Sequence, residues 1–249
     1  MKRGPASDRP PALLAVFAHP DDETFRCGGT LALLARQGIR VQVMTATRGQ
    51  AGSRGDPPLC SPEELPAVRE RELRCACAAL GILPPILLNH QDGHLSEADP
   101  RAIVNEILAV ADELGPQVIL TYGPDGVSGH PDHIAIGLFA AEAFRSARDV
   151  VALYVLAVPQ SLAEALGMTQ IHGVPDDAIS ITVDVSAVWQ AKIAAIACHR
   201  TQLGQTPILT ASEEKQRLFL GRESFIRAQA RSEKDVLLKS QSTLEASNR

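Results

Sequence analysis

The sequence predicts an α/β fold: a doubly wound, Rossmann-like, mostly parallel sheet with helices on both faces and a smaller C-terminal α/β extension. Short, continuously apolar runs recur, beginning with Leu13 to Ala18, as strands covered on both faces require. Stretches of helical periodicity separate these runs, and the helices close at glycines such as Gly38 and Gly81. This β-α alternation is how parallel sheets are built. At 249 residues, 45% of them hydrophobic, the chain can bury a full core as one domain.

The expected domain spans 12–232, with a Rossmann-like core over 12–158, a C-terminal part over 159–232, and flexible ends at 1–11 and 233–249. The first strand stops abruptly at His19-Pro20-Asp21-Asp22-Glu23. Gly28-Gly29 open a helix that continues to Arg36, and Arg40 to Ala46 supply the second strand. Thr47 to Pro66 is a long loop rich in Gly, Pro and Ser, expected to form a mobile rim or lid over a site. A helix over Glu63 to Leu80 follows, then the strand Ile86 to Asn89, the helix Arg101 to Leu114 and the strand Gln117 to Tyr122. A polar loop, Gly123 to His130, leads into a helix from His133 to Arg145 and the strand Val150 to Val158. Past Pro159 the pattern loosens: a mobile stretch to Asp177, a strand Ile179 to Val183, a helix Val185 to Arg200 and a last helix Ser212 to Ala230 are expected.

A formal net charge of −5 without a basic stripe argues against nucleic acid as a partner. The first apolar run is too short for a signal-peptide core or a membrane span, so a soluble, cytoplasmic protein without a membrane partner is expected. Five cysteines, with one close pair at Cys75 and Cys77, indicate neither a disulfide framework nor a zinc knuckle; they read as buried apolar thiols.

Ligands of open parallel sheets bind beyond the carboxyl ends of the strands. His19-Pro20-Asp21-Asp22 lies at such an end, and His130-Pro131-Asp132-His133 follows another. Alone, each cluster is weak, since an Asp-Asp-Glu run also caps helices and H-x-x-D occurs by chance. Together they favour one metal site, because two imidazoles and a carboxylate are a usual catalytic zinc donor set. Amide hydrolysis also needs a base for the water proton and an acid for the departing amine. If His19 and Asp22 bind metal, Asp21 is left as base. If His133 binds, His130 is left to polarise the carbonyl and protonate the amine, with Asp132 able to fix its tautomer and raise its pKa.

Ala18-His19-Pro20-Asp21-Asp22-Glu23 together with His130-Pro131-Asp132-His133 resembles the PIG-L/LmbE-like N-acetylglucosaminyl deacetylase family. Supporting marks are Gly28-Gly29-Thr30, Thr47 to Gly52, Arg69 with Glu72, Asp92-Gly93 and His199-Arg200-Thr201-Gln202. The resemblance implies His19, Asp22 and His133 as metal ligands, Asp21 as general base, and His130, paired with Asp132, as acid or electrostatic stabiliser. It implies zinc, with iron able to replace it in some members, a small N-acylated amino sugar or glycoside as substrate, and a homo-oligomer, often a hexamer. Arg69 and Asp92 match substrate-contacting positions and His199 a site-lining one. From spacing alone, Arg69 could equally pair with Glu70 or Glu72, and His199 could close a helix. His90 and His94 flank Asp92, so one of them is a further candidate to touch substrate, whereas His172 reads as a surface residue.

There are departures from the family pattern. Gln50 stands where many members have Glu, and Ser128 where mycothiol-pathway deacetylases carry Tyr. Arg26 and Cys27 stand where small or apolar residues are common. The runner-up activity is a metal-dependent amidase of thiol conjugates or other non-sugar amides. A dinucleotide-binding oxidoreductase is disfavoured, because the first turn carries carboxylates where a Gly-rich phosphate loop is needed.

Overall fold

The computed structural model describes residues 10–205 and 207–239. Seven strands form one sheet in the order β3-β2-β1-β4-β5-β7-β6. Every residue of β1 (Ala12–Phe17), β4 (Val118–Thr121) and β5 (Ala152–Ala157) is buried, which is why these segments read as unbroken apolar runs. β1 is central: Leu13 pairs in parallel with Val41 of β2 (Arg40–Thr47) on one side and with Val118 on the other. β3 (Ile86–His90) forms the edge and is only half-buried. Chain order reverses between β1 and β4, and that switch point opens the crevice in which the site is built.

α1 (Asp22–Phe25) and α2 (Gly28–Arg36) follow β1 directly. α3 (Leu65–Leu80) packs on α7 (Trp189–Cys198) and α2, while α4 (Pro100–Leu114) pairs with α5 (Pro131–Ser146). Pro at the start of α4 and α5 fits the first helical turn, where the missing N–H has no partner to lose.

Three expectations are corrected. The last helix is short: α8 (Glu213–Leu220) stops at Gly221, and β7 (Arg222–Ala230) runs antiparallel between β5 and β6 (Ile181–Asp184). A Cβ at Gly221 would meet the Arg217 carbonyl oxygen at 2.4 Å, so glycine is required where the chain leaves α8, and the following residues form a strand although the propensities of Glu, Arg, Gln and Ala would extend a helix. The expected flexible tail does not begin at 233: Asp235 accepts hydrogen bonds from Tyr154 Oη (3.0 Å) and Arg227 Nη2 (2.9 Å), and Val236 and Leu237 are buried. Residues 1–9 and 240–249 of the expected flexible ends lie outside the described residues. Cys75 and Cys198 form a disulfide joining α3 to α7 across 123 positions, a pairing that neither local spacing nor Cys count announces. Cys27 and Cys77 are buried free thiols, as read.

The stretch expected to be loose, Pro159 to Asp177, contains α6 (Gln160–Ala165). Among the described residues, no helix is long and apolar enough to cross a membrane.

Candidate metal centre and active site

The turn after β1 is closed by its own carboxylate. Asp22 Oδ2 accepts from the amides of Ala18 (3.1 Å) and His19 (2.9 Å), which leaves Oδ1 facing His133 Nε2 at 3.3 Å. Asp21 sits at φ 108°, a left-handed conformation that a non-glycine residue adopts only when its surroundings enforce it. Its amide donates to Glu23 Oε2 (3.0 Å), and its carbonyl accepts from the amide and hydroxyl of Thr24. That backbone twist separates two adjacent carboxylates: Asp22 points at the histidines, while Asp21 Oδ2 meets Arg69 Nη2 at 3.3 Å.

His19, Asp22 and His133 place one donor atom each within 4.8 Å of one another. His133 lies in the first turn of α5, with its ring stacked on Tyr122 at 4.0 Å and 5°. Its Nδ1 lies 3.2 Å from the Gly126 carbonyl, so Nδ1 carries the proton and Nε2 is left for a ligand. His19 Nε2 faces Asp92 Oδ1 at 2.9 Å and Asp132 Oδ2 at 3.2 Å. Carboxylates on that nitrogen fix the ring and leave Nδ1 on the side of Asp22, an arrangement common behind metal-binding imidazoles.

The electrostatics agree. Burial opposes charge on His19, yet Asp132, Asp92 and Asp22 together push its pKa up to about 10. Burial alone would raise Asp22, but His133 and His19 hold its carboxyl far below the usual range. Burial pushes Asp21 up to about 6, with Arg69 opposing and Asp22 reinforcing. A locus that stabilises positive charge this strongly is one that a divalent cation would fill.

His130 and His19 with Asp132 form a second donor group sharing His19. The Asp132 carboxylate lies within 4.8 Å of a His130 ring nitrogen, but its hydrogen bonds go elsewhere. It accepts from the amides of Gly93 (2.7 Å) and Leu95 (3.0 Å) and faces His19, while His130 Nδ1 accepts from the Asp132 amide at 3.2 Å. His130 is exposed, and its pKa is lowered by desolvation and by His133 and His19, which outweigh the Asp132 charge.

These groups line a cavity of about 380 Å³, to which Arg69, Asp92 and Gln202 also contribute. Arg69 is buried, donating to the carbonyls of Gly49 (2.9 Å) and Pro20, and neither Glu70 nor Glu72 is its partner. Gly49 is obligatory here, because its φ is +66° and a Cβ would meet the Arg69 guanidinium at 2.2 Å. Asp92 Oδ2 accepts from the Ala51 amide at 2.8 Å. This bond, the Arg69 contact and Gln202 Nε2 on the Ser53 carbonyl (2.8 Å) tie down the loop that was expected to be a mobile lid.

His199 does not line the cavity: it is fully buried, with Nε2 2.7 Å from Glu23 Oε1, behind the Asp21 turn. Burial lowers its pKa, but Glu23, Asp21 and Glu72 outweigh that and raise it. His90 pairs with Glu106 (2.6 Å) and His94 with Glu97 (3.3 Å), and neither lines the cavity. The sequence reading assigned no role to Tyr122, Glu23, Gln202 or the Glu72–Thr201 pair, whose side chains meet at 2.6 Å. All carried a signal: Glu23, Glu72, Thr201 and Gln202 lie within the quoted motifs, and Tyr122 ends the strand before the second histidine motif.

A family model described as PIG-L, GlcNAc-PI de-N-acetylase, matches residues 14–144, which include every residue of both donor groups. The chain belongs to the PIG-L family. This PIG-L protein is 34% identical over 230 residues to the 1D-myo-inositol 2-acetamido-2-deoxy-alpha-D-glucopyranoside deacetylase of Actinosynnema mirum, covering 78% of this chain and 81% of that one. It is 33% identical over 196 residues to the Bacillus cereus protein named "Probable N-acetyl-alpha-D-glucosaminyl L-malate deacetylase 2", covering 76% and 83%. Its fold is similar to that of the N,N'-diacetylchitobiose deacetylase of Pyrococcus horikoshii, with a TM-score of 0.65, 20% identity, and 86% and 82% of the two chains covered.

Proposed function

We propose that the protein is a metal-dependent N-deacetylase that removes an acyl group, in the first place acetyl, from an amino sugar carried in a small glycoside. The observation that carries this reading is the convergence of donors from segments more than a hundred positions apart on one cavity, with Asp21 and His130 beside them. Relatives named for deacetylating N-acetylglucosaminyl compounds support the substrate class.

His19, Asp22 and His133 would hold the ion, and two nitrogens with one carboxylate suit zinc, with iron as the alternative. When bound, the ion supplies Lewis acidity toward the amide carbonyl and makes water more acidic. Asp21, with its carboxyl pushed up to about 6, accepts the proton of the attacking water. His130 accepts a hydrogen bond at Nδ1, so its proton resides on Nε2, which donates a hydrogen bond to the amide oxygen, while the proton taken up by Asp21 passes to the departing amine. Asp132 and Asp92 orient His19. Arg69 holds the Asp21 turn and, with Asp92, offers polar edges to the sugar.

The resemblance further implies a homo-oligomer, which light scattering after gel filtration will test. Amine release from N-acetylglucosaminides is the decisive assay for the chemistry. Turnover should vanish on chelation and return with zinc. Undiminished turnover in fully metal-depleted protein would overturn the reading.

A further inference from the structure

Arg26 has no part in the chemistry just described, yet it lines the same cavity and is 7% exposed. It follows α1, four residues after Asp22, about 6 Å along a helix axis. Its Nη1 donates to the Phe219 carbonyl at 2.8 Å, Nη2 reaches the Ala157 carbonyl at 3.4 Å, and its guanidinium lies 4.6 Å above the Phe219 ring. Nε is buried without a hydrogen-bond partner. Among the described residues, no carboxylate pairs with it. Glu223, whose charge it feels, is already bonded to Lys192 (2.7 Å) and to the amides of Gly29 and Thr30.

Arg69, the other cation of the cavity, is neutralised by Asp21. Arg26 is therefore a buried positive charge without its counter-charge. Burial pushes its pKa down only to about 10, so it stays charged at neutral pH. The Phe219 carbonyl near the end of α8 and the Ala157 carbonyl at the end of β5 offset part of the desolvation cost, and an anion arriving with the ligand would offset more. Elsewhere on the cavity wall the carboxylates Asp21, Asp22 and Asp92 would repel such an anion, and the guanidinium of Arg69 is already paired with Asp21.

We propose that Arg26 selects the substrate by its aglycone, binding an anionic group, carboxylate or phosphate, attached to the N-acetylamino sugar whose amide lies at His19, Asp22 and His133. This rests on the deacetylase reading of the site. A neutral polyol aglycone leaves the guanidinium unpaired, whereas an acidic one gains a charge-assisted hydrogen bond in a mostly buried setting.

The test compares zinc-loaded parent, R26K and R26M on three N-acetylglucosaminides whose aglycones are a neutral polyol, a carboxylate and a phosphate. The parent should favour one acidic substrate over the neutral one by about 10- to 100-fold in kcat/KM, chiefly through KM. R26M should bring that ratio close to one, and R26K should keep part of it. Which acid is preferred identifies the source of the anion. If R26M folds poorly, the parent itself carries the test: raising salt from roughly 0.05 to 0.5 M should raise KM for the acidic substrate and leave the neutral one unaffected. Equal kcat/KM for all three substrates, or equal loss on all three in R26M, overturns the proposal and leaves the deacetylase reading intact. No amine release from any substrate overturns both.

Discussion

Two neighbouring aspartates face different partners, Arg69 and His133, because one of them is held at φ 108°. Asp21→Asn keeps the shape but removes the basic oxygen, so the rate should fall by about 10²- to 10⁴-fold while elemental analysis finds the ion retained. Near-parental activity, or loss of the ion from this variant, would reassign the pair. Asp132 makes a separable prediction, because its carboxylate orients His19 and not His130. Asp132→Asn should weaken metal affinity by about 10- to 100-fold in a competitive chelator titration. Unchanged affinity with an altered basic limb of the pH-rate profile would instead restore the pairing with His130.

At the scale of elements, β7 matters through a buried carboxylate. Glu223 bonds the Gly29 and Thr30 amides at the start of α2, at 2.9 and 2.6 Å, and Lys192 of α7 at 2.7 Å, with all three charged or helix-end partners out of water. A carboxylate there complements the helix dipole and the ammonium together. Lys192→Met or Glu223→Gln alone should cost about 3–5 kcal/mol in urea unfolding, with the double variant less destabilised than the sum. Additive losses would show that the two groups are independent. The α3–α7 disulfide gives a second element-scale prediction: under denaturing, non-reducing conditions an alkylating agent should modify three cysteines, Cys27, Cys60 and Cys77. Reduction should then lower stability by about 2–4 kcal/mol, while five reactive thiols would show that the bridge does not form.

At the scale of the whole molecule, pH is expected to act on global stability through a histidine buried behind the cavity, and a metal through the cavity wall itself. His199 has its pKa raised above the ordinary 6.5: burial opposes the charge, and Glu23 and its acidic neighbours more than compensate. Its stabilisation is therefore fully present below about 6.5 and is lost as pH rises through the raised folded-state value. His199→Gln should flatten that part of the profile of urea midpoint against pH, and an unchanged slope would locate the titration elsewhere. A bound ion would join segments 19–22 and 130–133, so chelation should lower Tm by an amount that zinc restores. His133→Ala should abolish the difference, and a chelation shift that survived in this variant would place the ion elsewhere.

The alternation of apolar runs and helical stretches determined the doubly wound sheet, because strands buried on both faces must be continuously apolar. The two His-Pro-Asp motifs likewise announced the donors, since few other chemistries put so many such groups after strands. Their partners were not legible. Asp132 turns to His19, 113 positions away, Glu23 bonds His199 across 176, and Cys75 joins Cys198 across 123. No local pattern encodes such pairs, because they arise only when the sheet order brings separate loops to one edge. The strand β7 was read as helix for the same reason. Its propensities are helical, and what makes it a strand is the open edge of β5 together with the buried amides of α2 that only Glu223 reaches.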